Sequence, residues 1–259
     1  DPATHSFSEE YGVLLKTARS QNLVITLADG TAGPNGFATP WAWAVGAHNG
    51  LLGASRIRVV TERTRVMMPE TNIGLFPDVG VTSLMPQRMG LGLAKYFGLT
   101  GHWFGGDAAV VYGWADDLID SADLDRVEAA LQEAAARGPL SEAAARGIIG
   151  RFAKEIPAER REELKRERRL IERFFPNEPA TLAEIVRGLK RAATRGRDPA
   201  VRQFADWTLN GVPDEHNGAR RNGLRQRSLI SLIAANHLFD INGGEGDLAR
   251  SLEREARVA

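Results

Sequence analysis

The chain has 259 residues, 43% hydrophobic and 25% charged, with 33 Lys+Arg against 33 Asp+Glu and no cysteine. That length buries a sizeable core, as one large domain or a domain with an appendage. The charge balance gives no field to draw the chain to nucleic acid or an anionic membrane, and the lack of cysteine excludes disulfides, thiolate nucleophiles and Cys-based zinc sites. It fits a reducing, cytoplasmic setting. No apolar run approaches a bilayer span, and DPATHSFSEEYG lacks a basic, apolar signal segment. The Ala, Arg and Gly content points to a GC-rich bacterial source. The chain opens on Asp1 rather than Met, and a natural start upstream is expected.

In chain order, SEEYGVLLKTARS (8–20) predicts a short helix and LVITLADG (23–30) a buried strand stopping at an Asp-Gly turn. Residues 31–50, rich in Gly, Pro and Trp, predict a long loop opening into a helix. RIRVVTE (56–62) is β-branched and strand-like. Pro69 and Pro77 exclude a regular helix through MPETNIGLFPD. Two strands separated by a loop and helix imply β-α-β units and a largely parallel sheet.

From about residue 81 the signals are almost all helical. GLAKYFGLTG (92–101) is a short helix ending at Gly, and GGDAAVVYGWADDLID is a helix followed by an extended piece. DLDRVEAALQEAAARGP (123–139) places Leu124, Val127 and Leu131 on one face. Residues 157–175 are highly charged, with Leu164, Ile171 and Phe174 or Phe175 as the apolar stripe. Thr181 and Glu184 form a capping box. Helices over 198–211 and 247–259 complete the set, and 210–223 reads as a flexible loop. The organisation is an α/β part over 1–120 and a helical remainder over 121–259.

Within MPETNIGLFPDVG (68–80), Glu70 and Asp78 sit in an otherwise apolar, Pro- and Gly-punctuated run. Acids after Pro69 and Pro77 serve turn chemistry in many proteins. An apolar wall would instead raise a carboxylate's pKa and make it an acid, base or nucleophile, with the second acid dividing the labour. VGAHNG (45–50), small residues opening a helix, offers backbone N–H groups to an oxyanion, or is simply a Gly-rich loop. Of His5, His48, His102, His216 and His237, none has metal-ligand spacing, and only His48 stands in such a loop. RREELKRERR (160–169) alternates in sign and reads as a solvated helix face.

TERTRVMMPETNIGLFPDVG (61–80) resembles the signature of the crotonase (enoyl-CoA hydratase/isomerase) superfamily, in its 3-hydroxyisobutyryl-CoA hydrolase-like branch. The similarity extends over 7–30 and 91–119 and is looser beyond 140. It implies a crotonase-like ββα spiral core followed by a mainly helical region. It implies that Glu70 is the principal catalytic carboxylate, that Asp78 is the second acid, and that Glu10 lines the substrate site. Gly46 and Ala47 fall in the oxyanion loop, where His48 replaces bare backbone. Gly50 stands where hydratases carry a further glutamate, which favours thioester hydrolysis over hydration.

The substrate expected from the resemblance is a short branched 3-hydroxyacyl-CoA, as in valine breakdown. CoA is part of that substrate; no metal or redox cofactor, nucleic acid or membrane is called for, and a homo-oligomer is compatible. The alternatives are another crotonase reaction (hydration, isomerisation or decarboxylation) or a non-catalytic interaction subunit. The loop after Gly30 is about a dozen residues longer than in relatives. The chain also begins after the family's first β-α units, which carry a second oxyanion N–H.

Overall fold

A computed structural model describes residues 2–29, 42–213, 220–221, 223–245 and 247–258. The first elements are α1 (Pro2–Arg19), β1 (Ile25–Ala28), β2 (Ala42–Val45), α2 (Ala47–Ala54), β3 (Ile57–Thr61) and β4 (Thr64–Met67). A 3-10 turn over Glu70–Asn72 leads to α3 (Val81–Met89), α4 (Leu91–Thr100), β5 (Phe104–Gly105), α5 (Gly106–Tyr112) and β6 (Asp117–Ile119). Then come α6 (Leu124–Ala136), α7 (Glu142–Gly150), α8 (Ala158–Glu172), α9 (Leu182–Arg195) and α10 (Pro199–Asn210). The chain continues through β7 (Val212–Pro213), β8 (Arg220–Arg221), α11 (Leu229–Glu245) and α12 (Leu248–Val258). Two compact units result: residues 1–66 with 104–165, and residues 67–103 with 166–259.

The first unit is the α/β one. Its parallel sheet runs β1-β3-β6, with Ile25 opposite Ile57 and Thr61 opposite Ile119. All five residues of β3 are buried, as befits the central strand of a parallel sheet. Ile57, Val59 and Ile119 meet Val127 and Leu131 of α6 and Ala145 and Ile149 of α7 in one core. The Val127/Leu131 face expected for α6 is therefore the face that packs, with Leu124 partly buried beside it. A bidentate ion pair from Arg58 to Asp116 (2.9 and 2.7 Å) ties β3 to the start of β6. The expected long loop ends earlier than its composition suggests. Residues 42–45 form β2 in a second sheet, β2-β4-β5, because Ala-Trp-Ala-Val is β-competent once a neighbour is present. The rest of that loop, 30–41, lies outside the described residues.

The second unit is helical. α3, α4 and α11 pack against one another, α12 packs on α3 and α11, and α9 pairs with α10. The capping box at α9 is complete, with the Thr181 hydroxyl and the Glu184 carboxylate each accepting the other's backbone N–H. Ile171 and Phe175 are fully buried and Phe174 nearly so, as the stripe predicts. Lys95 is fully buried on α4, its Nζ 2.5 Å from Asp240 Oδ1 of α11 and donating to Ala180 O at 3.0 Å. Burial lowers the Lys95 pKa, and the Asp240 carboxylate opposes that. Half of the flexible loop expected over 210–223 lies outside the described residues; its flanks pair as β7 and β8.

Candidate active site

The Glu70 turn belongs to the helical unit, where it lies against α4 and α11. Pro69 precedes it, and the amides of Ile73 and Leu75 both donate to Glu70 O at 3.0 Å, closing the turn tightly. Gly98 of α4 and Gly101 just after it let the turn settle close. A Cβ on Gly98 would strike the Phe239 ring at 2.4 Å and Pro77 at 3.2 Å. At Gly101, whose φ is +63°, a Cβ would stand 3.0 Å from Asn72 and 3.5 Å from Pro69. The Thr71 hydroxyl donates to Leu99 O at 3.1 Å. Met68, Phe76 and Leu99 are buried around this turn in the sequence and its neighbouring helix.

Glu70 is only 8% exposed. Its Oε2 is buried and has no hydrogen-bond partner. Burial pushes its pKa up to about 8, and the neighbouring Asp78 charge adds to the rise, against a lowering hydrogen bond from its own amide. A carboxyl so placed exchanges a proton near neutrality and keeps one oxygen free to act.

Asp78 is half-buried, and its backbone carbonyl accepts from Val81 N at 3.1 Å. The next two residues are left-handed, Val79 at φ 53° and Gly80 at φ 76°. For a β-branched residue this conformation is strained, by ~1–3 kcal/mol. The surroundings hold it. Gly80 N donates to Glu255 Oε2 at 2.9 Å, and the Thr82 hydroxyl donates to Glu255 Oε1 at 2.5 Å. Asn242 donates to Thr82 Oγ1 at 2.8 Å and accepts from Arg254 at 2.9 Å. Glu255 is fully buried. Burial pushes its pKa up to about 8, the Asp78 charge adds to this, and the Thr82 and Gly80 hydrogen bonds oppose it.

Glu10, Gly46, Ala47 and His48 belong to the α/β unit. Gly46 caps α2 with φ 54° and ψ −126°, a conformation open to glycine, and its carbonyl accepts from Asn49 N at 2.9 Å and Gly50 N at 3.1 Å. First-turn amides such as those of Ala47 and His48 have no carbonyl within their own helix to bond. Asn49 is fully buried and accepts the indole N–H of the buried Trp114 at 2.9 Å, which pins this end of α2. The His48 side chain is exposed. Glu10 is half-buried on α1; burial raises its pKa and His48 partly offsets the rise. A cavity of about 400 Å³ in the same unit is lined by Thr17 of α1, Thr26 and Ala28 of β1, and His48 and Leu51 of α2.

Two of the sequence candidates thus gather in the helical unit and four in the α/β unit. His102 is mostly buried, stacked on Tyr96 with ring centroids 5.7 Å apart, and its pKa falls to about 4 through burial and the charge of Arg227. It is a packing residue. His237 is exposed. No motif marks Glu255, the Gly98/Gly101 cradle or the Asn49–Trp114 bond. The only available signal for Glu255 was its spacing, seven residues beyond Leu248 on one face of an amphipathic helix. Among the described residues no cluster of His, Cys, Asp and Glu could hold a metal, and no helix is long and apolar enough to cross a membrane.

The pattern of the enoyl-CoA hydratase/isomerase family matches residues 2–259. The chain belongs to that family, within the crotonase superfamily. It is 30% identical over 200 residues to the small ribosomal subunit protein mS47 of Neurospora crassa, covering 75% of this chain and 39% of that protein. It is 31% identical over 169 residues to 3-hydroxyisobutyryl-CoA hydrolase 1 of Arabidopsis thaliana, covering 65% of this chain and 43% of that protein. The chain therefore spans about two fifths of the length of these relatives. A carnitinyl-CoA dehydratase structure from Mycobacterium thermoresistibile matches 98% of this chain and 61% of its own, with a TM-score of 0.73 and 24% identity. The crotonase fold expected from the sequence is the fold of this chain.

Proposed function

We propose that this chain is the acid-bearing part of an acyl-CoA thioester hydrolase acting on a short branched 3-hydroxyacyl-CoA, as in valine breakdown. The observation that carries the reading is the unpartnered, buried Oε2 of Glu70, on a carboxyl whose pKa stands at about 8. Ionised, Glu70 attacks the thioester carbonyl and CoA leaves as thiolate, taking a proton to become the thiol; water then cleaves the acyl–Glu70 anhydride. Acting as a base on water, the same carboxylate gives the same products. Asp78 meets the substrate hydroxyl or assists the proton transfer. CoA enters as part of the substrate. The similarity to a protein named 3-hydroxyisobutyryl-CoA hydrolase supports this choice of acyl group.

The test is product analysis on a small panel of acyl-CoAs. Release of free CoA with the matching acid supports hydrolysis; products that keep CoA attached point to hydration or isomerisation. A second reading, a non-catalytic subunit, has one observation in its favour: the 30% identity to the small ribosomal subunit protein mS47 over 75% of this chain. An intact protein that binds no acyl-CoA and co-purifies with a larger assembly would establish that reading instead.

A further inference from the structure

The proposed chemistry uses Glu70 and Asp78, yet a third acid is built into the same unit and the reaction assigns it nothing. Leu248, Leu252 and Glu255 stand at spacings of four and three on α12, hence on one face of the helix. That face presses on the turn after Asp78. A Cβ on Gly80 would meet Leu248 Cδ1 at 2.5 Å and Leu252 Cδ2 at 3.5 Å. Between these leucines and the end of the helix, Glu255 receives the amide of Gly80 and the hydroxyl of Thr82, one on each carboxylate oxygen.

A buried acid is expensive to keep unless its surroundings need it. Here an apolar side chain could fill the volume, but it would leave the Gly80 amide and the Thr82 hydroxyl without an acceptor. The two bonds fall on the residues that follow strained Val79, where the backbone needs an external hold. Their effect is to fix the direction in which the chain leaves Asp78. The charged and titratable groups around Glu255 are Asp78, whose charge reaches it, and Arg254, linked through Asn242 and Thr82.

We infer that Glu255 is a positioning residue: through Gly80 and Thr82 it holds the Val79-Gly80 turn so that Asp78 keeps its place in the reaction. This rests on the hydrolase reading. Glu255 touches no reacting atom; it acts through Asp78, and its effect falls on turnover rather than on substrate affinity.

The test compares Glu70→Gln, Asp78→Asn, Glu255→Gln and the Asp78→Asn/Glu255→Gln double variant in the intact protein, with CoA release as the assay. Circular dichroism establishes folding. Glu255→Gln is expected to lower kcat at least tenfold while KM stays within twofold. In the Asp78→Asn background the same change is expected to alter kcat less than twofold, because its route is already cut. A wild-type kcat in Glu255→Gln, or an equal loss in both backgrounds, overturns the inference. If Glu255→Gln does not fold, Thr82→Val replaces it, removing one of the two bonds: a reduced kcat with unchanged KM supports the inference, and a wild-type kcat overturns it. Wild-type turnover in Glu70→Gln sinks the catalytic assignment of Glu70 alone. A wild-type protein that releases no CoA from any thioester overturns the hydrolase reading and this inference with it.

Discussion

Both the turn at Glu70 and the first turn of α9 place a glutamate at a helical start, and they treat the carboxylate in opposite ways. Glu184 is exposed and accepts from the Thr181 amide and hydroxyl, bonds that hold its pKa below the usual value. Glu70 is buried, with Oε2 unpartnered and its pKa pushed up to about 8. The first glutamate spends its charge on capping a helix. The second keeps one oxygen, Oε2, without a donor, so its proton affinity stays available for a substrate. The contrast shows that the residue type and even the local start signal are shared; dehydration and the missing donor make the difference.

The sharpest way to break this comparison is to neutralise each acid in turn. Glu70→Gln is expected to lower CoA release by about 10²–10⁴-fold without unfolding the protein, whereas Glu184→Gln leaves release within twofold. Similar turnover losses in the two variants would erase the distinction.

Acidity offers the next test. Glu70 and Glu255 have folded pKa values of about 8, above the ordinary 4.5. The folded state therefore holds protons that the unfolded chain releases. Their contribution to stability is at its fullest below about pH 4.5 and declines as the pH rises toward 8, at ~1.4 kcal/mol per pH unit per group at most. Glu184 works the other way, supporting the fold above the usual carboxylate range and losing that support as the pH falls. If ionised Glu70 performs the chemistry, kcat/KM climbs with pH through about 8, while the midpoint of chemical unfolding moves down. Glu70→Gln should flatten part of that stability slope. An unchanged slope would mean that Glu70 is not held protonated in the fold.

Smaller effects sharpen the outline. Thr181→Ala removes the capping hydroxyl and is expected to cost ~0.5–2 kcal/mol in a denaturant melt, with CoA release unchanged. In the α/β unit, His48→Gly removes the charge that partly offsets burial at Glu10. Carbon-detected titration should then place the Glu10 pKa higher than in the wild type; no movement would separate the two residues.

The acidic motif was legible because its chemistry is local: Pro69-Glu70 and Pro77-Asp78 can be read within eleven residues. The α9 capping box and the buried faces of α6 and α8 were legible for the same reason. Other parts carry no local signal. α3 contains Pro86 and opens on β-branched Val81 and Thr82, so its helical state comes from being packed, with seven of its residues buried. α11 has apolar residues on several sides, burying Leu232, Ala235, Leu238 and Phe239 while exposing Leu229, Ile230 and Ile233, and this blurs the helical period. α7, nine residues rich in alanine and glycine, carries no strong local signal either, although Ala145 and Ile149 complete the first unit's core. Glu255 looked like one more charge on a polar helix, since only the folded chain brings it to Gly80.

That pairing joins atoms 175 residues apart. At a synthesis rate of ~5–20 residues per second, the acidic turn leaves the ribosome roughly 9–35 s before its clamp is made. During that interval the strained backbone after Asp78 has no carboxylate to hold it. A nascent chain stalled anywhere short of Glu255 should therefore present the signature acids without their working geometry, a delay between being written and being ready.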